Sequence, residues 1–503
     1  MATTEHLERE FKLTADLDFE LPDLGPIVGH TVSLPAQALH TSYFDTADLR
    51  LWGRGITLRH RTGEEANGGL WTIKLPETEG EALERTELTW PGSRGEVPVE
   101  ARTLLRGIIR RADLREVVEL ESKRRRVLLG SSLGEIDDDV VTVKSGQREG
   151  FKFRQIELEL KMDAAMAGSS SDQIHDVLHA LHRSGANEDR HQKFTMALGL
   201  SEGRPKERKR QRGKKATISA AVELSIGDGL DRVLDHDVRL RLRPGEPPRY
   251  SIHQARVATR RLRSDIKTFA RLLDPIWVEH VSRDLKWLGA VFGQVRDLDV
   301  LSDRLESAEL NSRIEREGRI ELSAKLARQR GYAGDQLTSA LDSDRYFGLI
   351  EHLAAAARLP PFIRPSEASA SAADVLPVLV QRQYKALLRR IRHGGRHPND
   401  TQLHQIRIGA KQLRYAAETA APFIGKSARR TGGGAKDLQT ILGEHHDAVS
   451  AEVWLRQATD EGSSAAGFTA GRLVEQARRQ KLKRAKRWRQ AWRSIQRSSK
   501  QWL

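Results

Sequence analysis

The spacing of apolar residues changes once along the chain, and this change most constrains the fold. Before about residue 200, short runs alternate apolar and polar residues between Gly and Pro turns, as in GITLRHRTG and RTELTWPG. After about residue 217, long segments with a 3.6-residue period dominate, as in IHQARVATRRLRSDIKTFARLLD. Alternation is typical of half-buried strands and the longer period of amphipathic helices. The sequence therefore predicts a β-rich part followed by an all-α part.

The segment between the two parts, 201–217, holds eight basic residues and almost no apolar ones. Such a segment cannot bury enough surface to offset its ordering entropy, which predicts a solvated linker. A chain of 503 residues also exceeds what one hydrophobic core usually supports. We expect domains at 1–203 and 217–503, joined by a linker at 204–216. A Pro-rich segment at 359–377 divides the helical part into 217–358 and about 375–495.

Charge is distributed unevenly between the two parts. Residues 1–203 carry 26 basic and 35 acidic residues, whereas the remainder carries 58 and 34, so a net charge of −9 precedes one of +24. A strongly basic domain is typical of a protein that faces a polyanion.

The absence of cysteine excludes disulfides and Cys-ligated metal sites. With no signal-peptide profile and no apolar run of ~18 residues, we expect a cytoplasmic protein without a membrane span.

The helical part contains an internal repeat. The pattern His253-x2-Arg256-x3-Arg260-x-Leu262-Arg263 recurs 151 residues later as His404-x2-Arg407-x3-Lys411-x-Leu413-Arg414. A second pair, Gly293-x3-Asp297 and Gly443-x3-Asp447, follows at an offset of 150. Two ordered matches at nearly the same offset indicate a duplication. We therefore expect two related antiparallel helical bundles.

Charged and apolar residues alternate in several of the predicted strands. In EREFK, Glu8, Glu10 and Lys12 share one face, and in ELELK, Glu157, Glu159 and Lys161 do the same. Arg59, Arg61 and Lys74 similarly alternate with apolar residues. An ordinary two-sided sheet would give this pattern, and so would a closed barrel with a polar lumen. The mixture of carboxylates and cations favours the barrel, because together they would hold a metal-bound phosphate anion.

These strands resemble the CYTH domain of the triphosphate tunnel metalloenzymes over about residues 3–200. The motifs that carry the resemblance are EREFK, YFDT, TLRHR, TIK, RTE, SKRRRV, EIDDD and IELEL. The resemblance implies an eight-stranded antiparallel β barrel, or tunnel, with flanking helices that binds triphosphate with Mg²⁺ or Mn²⁺. It also implies an activity such as inorganic triphosphatase, thiamine triphosphatase, RNA triphosphatase, adenylyl cyclase or polyphosphate polymerase.

The resemblance assigns roles to individual residues. The metal ligands would be Glu8, Glu10, Asp137, Glu157 and Glu159. The catalytic residues would be Glu10, Glu159 and Lys12. The substrate would be bound by Lys12, Arg59, Arg61, Lys74, Lys123 and Arg125. Four consecutive cations in SKRRR allow either face for Lys123 and Arg125, and Asp138 and Asp139 leave a similar choice beside Asp137; we take Lys123, Arg125 and Asp137 as inward.

The basic residues of the helical repeats form stripes. On a helical wheel, His253, Arg256, Arg260 and Arg263 lie within an arc of about 80°, and His404, Arg407, Lys411 and Arg414 repeat it. Most charged helix faces are merely solvated, but these lack the acids that would relieve like-charge repulsion. The segments resemble the CHAD domain, the conserved histidine α-helical domain, over roughly residues 217–495. That resemblance implies that these eight residues bind inorganic polyphosphate.

The sequence therefore predicts a two-domain protein, α+β then all-α, that hydrolyses inorganic triphosphate and binds polyphosphate. One alternative is a non-enzymatic polyphosphate-binding protein associated with granules, and another is a hydrolase of thiamine or nucleoside triphosphates. Nucleic-acid binding is disfavoured because the stripes lack the interleaved aromatic residues that stack on bases. The physiological substrate, the preferred metal and the oligomeric state stay open.

Overall fold

The computed structural model describes residues 4–63, 68–76, 83–131, 133–161, 170–189, 191–200, 213, 215–459, 462–485 and 487–499. The chain divides into two compact units, Met1–Arg208 and Lys209–Leu503. Of the expected linker, 204–216, the structure describes only residues 213, 215 and 216. Strands lie in the first unit and only helices in the described part of the second, so the predicted class, α+β then all-α, is confirmed.

Ten strands of the described residues form one antiparallel sheet. They are β1 (Thr4–Ala15), β2 (Thr31–Ser33), β3 (Gln37–Asp45), β4 (Thr57–Thr62), β5 (Leu70–Pro76), β6 (Leu83–Pro91), β7 (Arg115–Leu129), β8 (Gly134–Ser145), β9 (Lys152–Leu160) and β10 (Asn187–Glu188). Pairing runs β1–β6–β5–β4–β3–β7–β8–β9 and returns from β9 to β1. Eight strands thus close a ring, as expected. The short strands β2 and β10, which pair with β7 and β1, are additional.

The outer face of this ring packs against helices. The first unit contains α1 (Gly25–Val28), a 3-10 turn (Trp52–Arg54), α2 (Val99–Ile109), α3 (Ser170–Arg183) and α4 (Lys193–Leu198). Leu13, Ile136 and Leu158 on the outer face are buried with Val177 and Leu181 of α3. Because side chains alternate along a strand, this burial turns the charged positions of β1, β8 and β9 towards the interior.

The interior is not polar throughout. Val141 and Phe153, on the same strand faces as Asp137 and Glu157, form an apolar cluster with Phe194 of α4. The ring of Phe194 also lies 5.3 Å from that of Tyr43. Helix α4 therefore packs against an apolar end of the interior, and the charged residues occupy the rest.

The second unit consists of helices joined by turns and loops in its described residues. Its helices are α5 (Ile218–Leu242), α6 (Arg249–Phe269), α7 (Pro275–Glu306), α8 (Arg313–Leu341), α9 (Asp344–Ala356), α10 (Pro365–Ala368), α11 (Ala372–Gly394), α12 (Asp400–Ile424), α13 (Lys426–Ala458), α14 (Ser464–Ala485) and α15 (Trp488–Ser499). None of the helices in the described parts of the chain is long and apolar enough to span a membrane.

The duplication extends to whole helices. Helices α5 to α8 and α11 to α14 each pack in sequence on their neighbours, and α8 also packs on α14. Helices α6 and α12 carry the two basic stripes, and α7 and α13 carry the two Gly-x3-Asp motifs. The two predicted bundles are confirmed, but they share one continuous hydrophobic core that includes Phe269, Phe292 and Phe423.

Candidate functional site

Strand pairing brings carboxylates from three strands together inside the ring. Glu10 of β1 lies opposite Glu159 of β9, which lies opposite Glu135 of β8. On the neighbouring rung, Lys12 lies opposite Glu157, which lies opposite Asp137. Directly paired residues of antiparallel strands place their side chains on the same face. The two motifs EREFK and ELELK therefore meet at one place in the interior.

The polar part of the interior is a cavity of about 460 Å³. It is lined by Lys12, Gln37, Tyr43, Thr57, Arg59, Arg61, Lys74, Glu87, Arg124, Arg126, Glu135, Asp137, Glu157, Glu159, Gln192 and Lys193. Acids and cations contribute side by side, so the cavity can accommodate an anion together with a cation.

Three of the carboxylates are arranged to share a cation. Oxygens of Glu135, Asp137 and Glu159 all lie within 4.8 Å of one another. Among the described residues, Oδ1 of buried Asp137 accepts no hydrogen bond. Burial raises the pKa of Asp137 to about 6, against the opposing effect of Arg124. Hard divalent cations prefer such oxygen ligands, so this set fits Mg²⁺ or Mn²⁺.

Two other predicted metal ligands, Glu10 and Glu157, form ion pairs with lysine side chains. Lys12 Nζ lies 2.7 Å from Glu10 and 3.0 Å from Glu157, and Lys193 Nζ of α4 lies 2.6 Å from Glu157. Burial raises the pKa of Glu157, but the charges of Lys12 and Lys193 outweigh this effect and hold the pKa well below its usual range. Glu10 is buried but does not line the cavity. The side chain of Glu8 lies outside the described residues.

The predicted triphosphate-binding cations of β4 and β5 line the cavity. Lys74 forms an ion pair with Glu87, whose carboxylate lies 4.0 Å from Arg59. Arg61 donates to Thr41 Oγ1 at 3.2 Å. His60, between the two arginines, faces away from the cavity and lies 2.9 Å from the carbonyl of Gly92.

The predicted inward register of β7 is wrong. Lys123 is exposed, and the side chain of Arg125 is 66% exposed. Arg124 and Arg126 line the cavity instead, because β7 pairs them with Asp139 and Asp137 of β8. Four consecutive cations give no local signal for either face, so this strand pairing decides the register.

Ion pairs hold the side chains of Arg124 and Arg126 in the cavity wall. Arg124 donates to both oxygens of Asp139 at 2.9 and 2.7 Å, and it also pairs with Asp137. Arg126 lies 2.6 Å from Glu135 and 3.4 Å from Asp137. These pairs connect the cationic wall of the cavity to its carboxylates.

Sequence reasoning missed Glu135, Arg124, Arg126 and Lys193. Glu135 shares a strand face with Asp137, so alternation along β8 could have identified it. Lys193 has no such signal, because it follows the barrel strands and reaches the cavity only through the packing of α4. Lys161 is exposed and donates to the carbonyl of Ser131, which leaves it outside the cavity lining.

A second cluster of charge lies in the helical unit, where α6 and α12 meet α7 and α13. Arg256 Nη1 lies 2.6 Å from Asp297 Oδ1. In the second repeat, burial raises the pKa of Asp447, which Arg407 opposes. A Cβ added to Gly293 would lie 3.5 Å from Arg256, and one added to Gly443 would lie 3.6 Å from Arg407. Each Gly-x3-Asp motif therefore supports the first arginine of its own repeat.

The stripes of both repeats converge in this cluster. Burial, together with Arg260, Arg407, Arg263 and Arg256, lowers the pKa of Lys411 to about 7. Among the described residues, the buried Nε atoms of Arg256, Arg260 and Arg407 donate no hydrogen bond. Buried donors without acceptors are costly, and an anion would satisfy them.

The ends of the stripes are less uniform. His404 Nδ1 lies 3.2 Å from His446 Nδ1, and burial together with His404 lowers the pKa of His446 to about 4. His253, its counterpart in the first repeat, is exposed. Arg414 donates to Glu418 at 2.7 Å. Of the predicted stripe residues, Arg256 and Arg414 are therefore already paired with carboxylates.

Two family models match this chain in separate regions. A model of the CYTH domain matches residues 7–192, and a model of the CHAD domain matches residues 225–456. An uncharacterized protein of Mycobacterium tuberculosis is 30% identical over 479 residues, which cover 88% of this chain and 86% of that protein. The two matched regions lie in the two compact units.

Solved structures resemble each region. The CHAD domain from the plant Ricinus communis matches 58% of this chain and 96% of its own, with 25% identity and a TM-score of 0.46. A Hippeastrum protein, described as having a dominant triphosphatase activity, matches 39% of this chain and 99% of its own, with 14% identity and a TM-score of 0.27.

Proposed function

This chain belongs to the family of proteins that join a CYTH domain to a CHAD domain, and we propose that it hydrolyses inorganic triphosphate and binds inorganic polyphosphate. Triphosphate would be cleaved to pyrophosphate and phosphate in the cavity of the first unit. Polyphosphate would be bound by the basic stripes of the second.

The mixed lining of the cavity is the observation that carries the hydrolase proposal. Three carboxylates that can share a cation lie in the same cavity as Arg59, Arg61 and Lys74. Guanidinium groups bind phosphate oxygens and stabilise the charge that develops on them during phosphoryl transfer. A cavity lined by cations alone would bind a phosphate chain but would have no group to activate water.

Glu135, Asp137 and Glu159 would hold a divalent cation such as Mg²⁺ or Mn²⁺. When bound, it would neutralise phosphate charge and lower the pKa of a water molecule. The carboxylate of Glu159, which lines the cavity, would orient the attacking water and accept its proton. Arg59, Arg61, Lys74 and Arg126 would hold the phosphate oxygens in line with that water.

Lys12 and Glu10 have different roles in this proposal. Lys12 lines the cavity and can contact a phosphate oxygen. Glu10 lies beneath it, 2.7 Å from its ammonium group, and is 3% exposed. Glu10 is therefore a positioning residue for Lys12, and Glu159 is the stronger candidate for direct contact with water.

The test is phosphate release from tripolyphosphate, long-chain polyphosphate, ATP and thiamine triphosphate with Mg²⁺, Mn²⁺ or a chelator. We expect tripolyphosphate to be the best substrate, hydrolysis to stop without metal, and Glu159→Gln to abolish it. Glu10→Gln should lower the rate of phosphate release less than Glu159→Gln does. The control is Glu149→Gln, which changes an exposed carboxylate in the turn between β8 and β9. Equal activity of wild type and Glu159→Gln, or no release from any substrate, would refute the hydrolase proposal.

The unsatisfied arginine donors carry the polyphosphate proposal for the helical unit. Arg256, Arg260 and Arg407 come from both repeats and present buried Nε atoms without acceptors among the described residues. A linear chain of phosphates could satisfy donors from both helices at once. We expect Arg260→Glu to weaken polyphosphate binding at least tenfold, measured by titration calorimetry. A preference of the wild type for DNA over polyphosphate at matched ionic strength would overturn the assignment.

A further inference from the structure

Helix α11 carries a third basic stripe outside both sites described above. Arg382, Lys385, Arg389 and Arg392, here called the α11 stripe, follow the same +3, +4, +3 spacing as the stripes of α6 and α12. All four side chains are exposed. The opposite face of α11 is buried in the core through residues such as Leu376, Val380 and Leu387. The α11 stripe extends about 15 Å along the helix.

The charges of the α11 stripe are not relieved by neighbouring acids. No Asp or Glu occurs between Asp374 and Asp400. Among the described residues, none of the four side chains forms an ion pair with a carboxylate. Like charges three or four residues apart on a helix destabilise it. A stripe of four thus has a cost that nothing in its described surroundings offsets.

The fold itself does not require cations at this position, because the duplicated helix α5 has the opposite charge there. Thr217 and Ser371, which precede the two helices, pair with each other as a β-bridge. Aligned from this pair, the buried residues correspond, as Val233 does to Leu387. At the positions of Arg382, Lys385 and Arg389, however, α5 carries Asp228, Asp231 and Asp235. Only the second repeat presents a cationic face here.

We propose that the α11 stripe is a second binding surface for inorganic polyphosphate, separate from the cluster on α6 and α12. This inference rests on the proposed function of the helical unit. Arg390 of α11 contacts Gln412 of α12 at 3.0 Å, and both lie off their stripes. Tyr384 is the only Phe, Tyr or Trp of α11, and its ring stacks on Trp492. No Phe, Tyr or Trp alternates with the cations of the stripe, so the face suits a phosphate chain better than the bases of a nucleic acid.

Two separate surfaces on one chain make binding depend on polymer length. A long polyphosphate chain can occupy both surfaces, so that the second contact becomes intramolecular and adds avidity. A chain too short to span the surfaces gains nothing from the α11 stripe. The α11 stripe should therefore increase the affinity for long polyphosphate chains and leave the affinity for short ones unchanged.

The test gives α11 the acids that α5 carries at the matched positions, in the variant Arg382→Asp/Lys385→Asp/Arg389→Asp of the full chain. We expect its affinity for long-chain polyphosphate to fall at least tenfold, while its affinity for tripolyphosphate stays within twofold of wild type. The control variant Arg313→Asp/Arg316→Asp/Arg328→Asp makes the same change of net charge at exposed positions of α8. Titration calorimetry measures both affinities, and circular dichroism verifies that each variant is folded.

The outcomes separate this inference from the proposal on which it rests. If wild type binds no polyphosphate of any length, the proposed function fails. If wild type binds long chains and the α11 variant binds them equally well, or if the α8 control loses as much affinity, the second surface is refuted. If the α11 variant loses affinity for DNA but not for polyphosphate, the α11 stripe binds a nucleic acid and the inference is refuted.

Discussion

Adjacent arginines on β7 have opposite surroundings. Arg125 projects outward with most of its side chain exposed, whereas Arg126 reaches Glu135 and Asp137 in the cavity. The two residues have the same chemistry and differ by one position in a strand. They therefore offer a matched pair that separates a role in the cavity from a general effect of charge.

We predict that Arg126→Gln lowers kcat/KM for tripolyphosphate roughly tenfold to a hundredfold, the effect of losing a hydrogen bond to a charged group. Arg125→Gln should stay within twofold of wild type. Steady-state phosphate release with saturating Mg²⁺ measures both variants. If the two substitutions lower kcat/KM equally, the strand register that turns Arg126 into the cavity and Arg125 outward is incorrect.

Lys411 should make the proposed polyphosphate binding depend on pH. Burial and four neighbouring arginines lower its pKa to about 7, so the free protein loses this charge as the pH rises above 7. A bound polyanion stabilises the ammonium form and raises the pKa again. Binding should then take up a proton between about pH 7 and 10, and affinity should fall by up to tenfold per pH unit.

Titration calorimetry in buffers of different ionisation enthalpy detects this proton uptake directly. The variant Lys411→Arg keeps its charge throughout, so its affinity should change less with pH and its proton uptake should disappear. An identical pH profile for wild type and Lys411→Arg would contradict the assignment of this titration to Lys411.

The contact between α6 and α12 contains a buried acid. Asp265 of α6 is 1% exposed and accepts a hydrogen bond from Thr419 of α12 at 2.9 Å. Burial raises the pKa of Asp265 to about 7, although Arg261 opposes the effect. Arg261 lies off the stripe and pairs with Glu418 of α12 at 2.8 Å. The two repeats are thus joined by polar contacts behind their basic faces.

Asp265 should make the helical unit less stable as the pH rises from about 4 to 7. In this window the unfolded chain has lost the proton that the folded chain retains, so the free energy of unfolding falls by up to roughly 1.4 kcal/mol per pH unit. We predict that Asp265→Asn is more stable relative to wild type at about pH 8 than at about pH 5. Urea denaturation at both pH values measures the difference.

Asp299→Asn serves as the comparison, since Asp299 is fully buried but lies 2.7 Å from Arg330. Breaking this ion pair should destabilise the helical unit at both pH values. A difference between Asp265→Asn and wild type that does not change with pH would exclude Asp265 as the titrating group.

Each of the two units has its own hydrophobic core. Apolar residues of the barrel strands pack with α3 and α4, and those of the second unit form one core across both repeats. The segment expected to join the units, 204–216, is rich in trypsin sites by sequence. Of the described residues of this segment, only Ala216 belongs to a core, that of the second unit, and every basic residue of the segment precedes it.

We therefore predict that limited trypsin treatment cuts first within 204–216 and yields two folded fragments. Hydrolysis of tripolyphosphate should remain with the N-terminal fragment, and polyphosphate binding with the C-terminal one. Mass spectrometry locates the cut, and the separated fragments are assayed individually. Aggregation of either fragment, or loss of both activities on cleavage, would show that the units depend on each other.

Features that depend on local periodicity could be predicted from the amino-acid sequence. Alternation placed Glu10 and Lys12 on one face of β1 and Glu157 and Glu159 on one face of β9, and the 3.6-residue period placed each basic stripe on one side of its helix. Side-chain direction in a regular element follows from position alone, so these features need no knowledge of the partner strand or helix.

Features that depend on pairing between distant parts of the chain could not be predicted without the fold. Arg126 rather than Arg125 faces the cavity because β7 pairs with β8, and Glu135 joins Asp137 and Glu159 because β8 pairs with β9. Lys193 enters through the packing of α4. Each of these contacts joins residues whose local sequence permits either face or no contact at all, and long-range pairing selects among the permitted arrangements.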